Sequence, residues 1–264
     1  MSVMRMDSIK SSSTGERWSI SDYGAEAHRC HYRGADLTKA FDNGTFSANV
    51  ADGSFRDIFP GDYIIKDVTV PATALAETDT YEIKFIIADL DFALNREYPK
   101  VTEQHHVVIV PETPPFMSYM NSTDTTEDGY KESYMNRVVM PAFARGLIDS
   151  FGASHLLKCN FEDSGSGIAD SQSCLCRLMT LSMVSGHELP AYELSFHDKD
   201  KYMDESQLAA FKINHALQGA GQWYWLSDVF DSAQFAYAGD YNEFHAFIGN
   251  ASDKHGVRPF ALLI

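Results

Sequence analysis

The stretch Trp223-Tyr224-Trp225-Leu226-Ser227-Asp228-Val229, continued by Phe235-Ala236-Tyr237 and by Gly239-Asp240-Tyr241-Asn242-Glu243-Phe244-His245, decides how this chain is read. Nine of the twenty-five residues from 223 to 247 are aromatic, where the whole-chain fraction of 12% predicts three. A core strand accommodates Trp223, Trp225 and Phe235. The other rings are interleaved with Gly239, Asp240, Asn242, Glu243 and His245, which suit turns and solvent. Two readings fit this composition. The rings build a second aromatic core, or some of them are exposed among small polar neighbours. The second arrangement is that of a binding face, because large rigid side chains give contact area at low entropic cost.

Upstream, the pattern is one of short apolar runs cut by turn signals at Asp42-Asn43-Gly44, Asp52-Gly53 and Pro60-Gly61-Asp62, which predicts short strands between chain reversals. Three strands are read at Asp62 to Val70, Tyr81 to Ile87 and His106 to Val110, all rich in β-branched and aromatic residues. Between Tyr130 and Phe151 the apolar positions Met135, Val139, Phe143, Leu147 and Phe151 recur every four residues and make one helical stripe facing a core. Pro141 inside it implies a kink, or two helices with Pro141 in the first turn of the second, and Gly152 fits the C-terminal cap. A shorter helix is expected around Ser206 to Ala216, ended by Gly219-Ala220-Gly221. Residues 1–31 show no sustained period and read as an arm for assembly or anchoring, leaving 32–264 as one α+β domain.

The chain has 264 residues, 44% of them hydrophobic, so it supports a sizeable core without a stabilising metal or disulfide. Its 37 acidic against 21 basic residues, a formal charge of −16, argue against nucleic acid and anionic membranes as partners. The longest apolar runs are far shorter than the roughly 20 residues a spanning helix needs. Met1 to Asp7 leads into the polar run Ser11 to Gly15 without an apolar segment, so no secretory signal is read and synthesis in a cytoplasm is expected. Cys30, Cys159, Cys174 and Cys176 form no C-x-x-C pair, and His28, Cys30 and His31 have no second ligand pair at metal spacing. No metal and no cofactor are assigned.

Catalytic patterns are weak as well. Asp163-Ser164-Gly165-Ser166-Gly167 has the G-x-S-x-G spacing of a nucleophile only in part and lacks a strand before it and a helix after it, so it reads as linker. Asp89 and Asp91 flank Leu90 and, on one face of a strand, would make a carboxylate pair or calcium ligands; turn capping and backbone bonding is the reading adopted. His105 and His106 point to opposite faces, so at most one enters any site. The N-x-S/T triplets at Asn43, Asn121 and Asn250 carry little meaning without a secretory signal.

Several segments together carry a resemblance. They are Tyr32-Arg33-Gly34, Phe55 to Tyr63, Ile86 to Asp91, His105 to Pro111, Met120 to Thr123, Phe151 to Leu157, the Trp223-Tyr224-Trp225-Leu226 strand, Phe235-Ala236, Asn250-Ala251-Ser252 and Gly256 to Phe260. In these the chain resembles a family of phage structural-protein domains that are C-type-lectin-like, similar to the formylglycine-generating, sulfatase-modifying fold. Within that family the segment after Trp225-Leu226 is similar to the variable region of proteins targeted by diversity-generating retroelements, phage tropism determinants among them.

The resemblance implies a virion protein that binds a host-surface protein or glycan and works as a homo-oligomer, a trimer in related determinants, alongside other virion proteins. Display on a bacterial cell surface is the alternative location. It places Ser227, Phe230, Asp231, Gln234, Tyr237, Gly239, Asp240, Tyr241, Glu243, Phe244, His245 and Phe247 at displayed, ligand-binding positions. Trp223, Trp225, Leu226, Phe235, Gly256, Val257, Arg258 and Pro259 form the framework, with Arg258 a hydrogen-bonded structural residue. The related formylglycine-generating chemistry uses cysteines near the C-terminal core, and this chain has none after Cys176, so no enzyme is expected. A structural capsid or tail decoration protein without receptor binding is the rival reading.

Overall fold

The runs Phe85 to Leu90 and Val107 to Pro111 are buried at every residue, and so is Pro259 to Leu263. Strands of that kind belong to a sheet covered on both faces, which explains why the sequence runs apolar there instead of alternating. The computed structural model describes residues 9–10, 17–18, 24–73, 77–94, 102–161, 172–186, 207–239 and 244–264. The architecture is mixed α+β with curled sheets.

The main sheet contains β1 (Tyr63–Val70), β2 (Asp79–Leu90), β3 (Val107–Pro111), β5 (Leu156–Leu157), β8 (Cys176–Leu178) and β13 (Pro259–Leu263). Its order is β8-β13-β3-β2-β1, antiparallel throughout, with β5 also paired to β13. A second sheet has the order β11-β10-β9-β12-β4, built from β4 (Phe116–Ser118), β9 (Tyr224–Val229), β10 (Gln234–Gly239), β11 (His245–Asn250) and β12 (His255–Val257). Only the β9–β12 pair in it is parallel. Two further strands, β6 (Cys159–Phe161) and β7 (Gln172–Cys174), form a separate hairpin, and Ile9–Lys10 pairs with Arg17–Trp18.

Both sheets contribute to two cores. Ile83, Phe85 and Ile87 of β2 face the helical stripe in the first, while Ile86 and Ala88 face the second. Strand β9 divides in the same way, with Trp225 in the first core and Tyr224 and Leu226 in the second. The second core is closed by α6 (Leu181–Ser185) and α7 (Ala209–Ile213) through Met183, Val184 and Phe211.

The helical stripe lies as the four-residue spacing predicts: Met135, Val139, Phe143, Leu147 and Phe151 are all buried. The helix is not one piece. A short turn α4 (Gly129–Glu132) precedes a π-helical turn, Met135–Val139, which runs into α5 (Met140–Phe151), and Pro141 falls at the junction of the two, in the first turn of α5. Gly152 ends it at φ 87°. Midway along α5, Gly146 sits against β1: a Cβ there would lie 2.5 Å from the Thr69 carbonyl oxygen and 2.7 Å from Val68 Cγ1. Alanine in place of a helical glycine ordinarily stabilises by about 1 kcal/mol. Gly146→Ala is expected to do the reverse and cost about 1–3 kcal/mol, because helix and strand must separate. The midpoint of urea unfolding checks it.

Three sequence expectations change. Residues 38–51 do not form strands around Asn43-Gly44; they form α2 (Thr38–Asp42) and α3 (Thr45–Ala51), joined through Gly44 at φ 78°. Helices of five and seven residues are too short to show a period. The expected helix at 206–216 is α7 followed by α8 (Ala216–Gly219), with Ala220 turning left-handed at φ 54°. Residues 24–31, read with the arm, pack on the body: α1 (Gly24–His28) buries His28, whose ring stacks on Phe59 at 4.3 Å and whose Nδ1 lies 2.8 Å from the Ile58 carbonyl oxygen. The rest of the arm and the 163–167 linker lie outside the described residues, apart from the short pair at 9–10 and 17–18.

Candidate functional site

Strand β10 carries Phe235, Tyr237 and Gly239 toward one face and Gln234, Ala236 and Ala238 toward the other, as a period of two requires. On the first face the register brings Trp225, Tyr237 and Phe247 into a row across β9, β10 and β11. Trp225 is completely buried, and its indole Nε1 donates to the Ser118 carbonyl at 2.9 Å, which fixes the base of the row. Tyr237 is half-buried, and its ring stacks on His255 with centroids 4.1 Å apart and planes at 22°. Trp223 meets Tyr237 and Phe247 edge-on, each at 5.4 Å. At the outer end Phe247 is 49% exposed, with the exposed ring of His245 6.0 Å away. The platform therefore runs from a sealed indole to an open phenyl within one sheet.

Glycine makes room for this packing. A Cβ on Gly249 would touch the Tyr237 ring at 3.0 Å and His255 Nε2 at 3.3 Å. The adjacent loop is also held: the Thr126 hydroxyl donates to the Asp231 carbonyl, Thr126 N–H donates to the Ser232 carbonyl at 3.0 Å, and Asp231 Oδ1 accepts from Ala233 N–H at 2.8 Å. The face is thus preorganised by backbone and buried contacts, not by the exposed rings.

Burial lowers the pKa of His255 below the usual histidine value, against a smaller opposing pull from Asp253. Burial, reinforced by Asp253, pushes the Tyr237 hydroxyl up. The sign for stability follows. Between the depressed folded pKa of His255 and its unfolded value near 6.5, the unfolded chain holds the extra proton, so stability rises with pH across that window and is lost as pH falls through it. Melting temperatures from pH 7.5 down to 5 are expected to fall less steeply in His255→Gln than in the parent.

The twelve positions assigned to display separate into groups. Tyr237, His245 and Phe247 come together on the aromatic platform. Gln234 lies on the opposite face, bonded through Nε2 to Asn250 Oδ1 at 3.2 Å, and Asp231 is half-buried in the loop. Phe230 and Phe244 are partly buried against the second core. Ser227 and Gly239 are buried and do not belong to a displayed surface: Ser227 bonds the Met179 carbonyl, and Gly239 adopts φ 125° over the Gln222 carbonyl. Asp240, Tyr241 and Glu243 lie outside the described residues. Sequence reasoning missed the partner His255, eighteen residues from Tyr237 in the chain, and the exposed Ile248 on the far side of β11.

Among framework positions, Leu226, Phe235 and Val257 are buried in the cores, and Gly256 is pressed on Pro114, where a Cβ would lie 2.6 Å away. Arg258 is fully buried between Phe211 and Tyr224, with its guanidinium carbon 5.1 and 5.0 Å from the ring centroids. It donates to the Pro111 carbonyl at 2.9 Å and the Glu112 carbonyl at 3.1 Å, which ties β13 to the end of β3.

The carboxylates considered for metal or catalysis do not share a strand face: a bulge between Ile87 and Asp89 lies just before them, and β2 ends at Leu90, between the two. Asp89 is wholly buried, paired with Arg29 Nε at 2.6 Å, and accepts from Leu90 and Ala209 N–H groups. Burial pushes its carboxyl up, and Arg29 pulls it back. Asp91 leaves the strand at φ 51° and binds His105 Nδ1 at 2.8 Å and His106 N–H at 3.0 Å. His106 is buried, with Nε2 accepting from Ala93 N–H, which leaves the proton on Nδ1 for the Gln104 carbonyl. Among the described residues no three His, Cys, Asp or Glu side chains group as metal ligands, and no helix is long and apolar enough to cross a membrane. A cavity of about 770 Å³ beside α1 and α7 is bordered by Glu26, Arg29 and Lys212, with Arg29 already bound to Asp89 on its inner side. Comparison with protein-family models, curated proteins and solved structures finds no match, so the aromatic platform is interpreted from its own residues and geometry.

Proposed function

We propose that the protein is a phage virion component with a C-type-lectin-like domain that adsorbs to a host-surface protein or glycan through the Trp223–Tyr237–Phe247 platform. The observation that carries this reading is the exposure of Phe247 at 49% on a row anchored by the buried Trp225. A rigid ring held from below loses little entropy when a sugar face or an apolar protein surface settles on it. The mixed α+β architecture and the motifs named above support the lectin-like part of the reading. Weak single contacts would be multiplied by copies on a particle, as a homo-oligomeric attachment protein requires.

A second reading has its own support. Strand β11 ends the second sheet and exposes Phe247 on one face and Ile248 on the other, as an edge built to pair with a neighbouring subunit would. In that case the protein decorates a capsid or tail. Phe247→Ala and Tyr237→Ala separate the two. Each is expected to weaken host-cell or glycan-array binding by roughly thirtyfold or more, the size of a hot-spot loss of about 2 kcal/mol, while incorporation into particles is retained. Unchanged cell binding with failed incorporation would establish the decoration role instead.

A further inference from the structure

Cys159 and Cys174 stand directly opposite one another in the antiparallel pairing of β6 with β7, followed by Asn160 against Ser173 and Phe161 against Gln172. Opposed residues of such a pair have Cα atoms about 4.5–5.5 Å apart. A disulfide spans Cα separations of roughly 4.4–6.8 Å. The backbone register therefore already supplies the spacing that most cysteine pairs lack.

From this register we propose that Cys159 and Cys174 form a redox-controlled crosslink across the β6–β7 hairpin, open in a reducing cytoplasm and closed once the protein meets an oxidising exterior. The oxidant is a small disulfide such as oxidised glutathione. One cysteine thiolate attacks a sulfur of that disulfide, giving a mixed disulfide and releasing one reduced small thiol. The second cysteine thiolate then displaces the other half. Two cysteine thiols are oxidised to one disulfide, the small disulfide is reduced to two thiols, and the two cysteine protons end on those products.

The remaining cysteines are poor competitors. Cys176 is 3% exposed, and its Sγ donates to the Met140 carbonyl at 3.5 Å. Burial pushes its thiol well above the ordinary cysteine range, which leaves almost no thiolate to react. Cys30 is exposed at the end of α1, but it has no opposed cysteine in any strand pairing.

The test uses the full chain, equilibrated with oxidised glutathione, quenched in acid, denatured, alkylated and mapped by mass spectrometry without reduction. The expected result is loss of the alkylated Cys159 and Cys174 peptides and appearance of one linked pair, two hydrogens lighter than the sum of the two free-thiol peptides, with Cys176 still alkylated. Cys159→Ser and Cys174→Ser should each replace the linked pair by a glutathione adduct on the surviving partner. Retention of both alkylated peptides in the parent chain, or linkage through Cys30 or Cys176, would overturn the proposal. Neither outcome depends on whether the aromatic platform binds a host.

Discussion

Asp62→Ala is expected to lower the unfolding free energy by about 3–5 kcal/mol, the loss seen when one partner of a buried ion pair is removed. For a chain of this size that moves the melting temperature down by roughly 10 °C. Asp62 is wholly buried, and its carboxylate gathers three residues, Arg33, Ala35 and Phe59. Oδ1 accepts from Ala35 N–H at 2.8 Å and Oδ2 from Phe59 N–H at 2.9 Å, while Arg33 binds with Nε and with Nη2 at 2.7 Å. Without the carboxylate the buried Phe59 N–H and the partly buried Ala35 N–H lose their acceptor, and the Arg33 guanidinium keeps only its polar contacts to Asp57. Arg33 is 35% exposed and can regain water, so Arg33→Ala should cost much less than Asp62→Ala. Equal effects of the two substitutions, read by calorimetry, would refute this account of the junction.

Gly239→Ala should be nearly as damaging, about 4 kcal/mol from backbone strain and overpacking together. The residue sits at φ 125°, which L side chains rarely adopt, and its Cβ would meet the Gln222 carbonyl oxygen and lie 3.0 Å from that of Gly219. The result matters for function because this position falls inside the segment whose resemblance implies free variation. In a library randomised over positions 234–247 and selected only for soluble folded protein, position 239 is expected to return glycine while 245 and 247 accept many residues. Free variation at 239 would show that the segment folds differently.

The strands and the long helix were legible because burial on both faces of a sheet, or along one stripe of a helix, writes itself as runs or a four-residue spacing. The three expected strands agree with β1, β2 and β3 to within three residues at every end. The helical region at 206–216 was legible, though not its division into α7 and α8, while α2 and α3 were not, since one or two turns of helix leave no periodic trace. The separation of Asp89 from Asp91 was hidden for another reason: β2 ends at Leu90 and Asp91 turns away at φ 51°, and no residue type announces that end. The aromatic segment was the hardest to divide. Rings at 230, 235, 237, 244 and 247 look alike in composition, but cross-strand partners decide which are covered: Phe235 lies opposite Gly249 inside the first core, and Phe247 lies opposite Tyr237 at an edge with no strand beyond it among the described residues. Those partners are set by pairings that sequence periodicity does not specify.

The position of β13 in the main sheet has a consequence for biogenesis. Residues 259–263 bond to β3 on one side and to β5 and β8 on the other, partners that precede them by roughly 80 to 150 residues of chain. Strands made early by the ribosome must therefore wait, edges open, until this late segment emerges and slots between them. Such long-range closure is slow, which leaves nascent molecules exposed to self-association during synthesis and makes chaperone supply a determinant of yield.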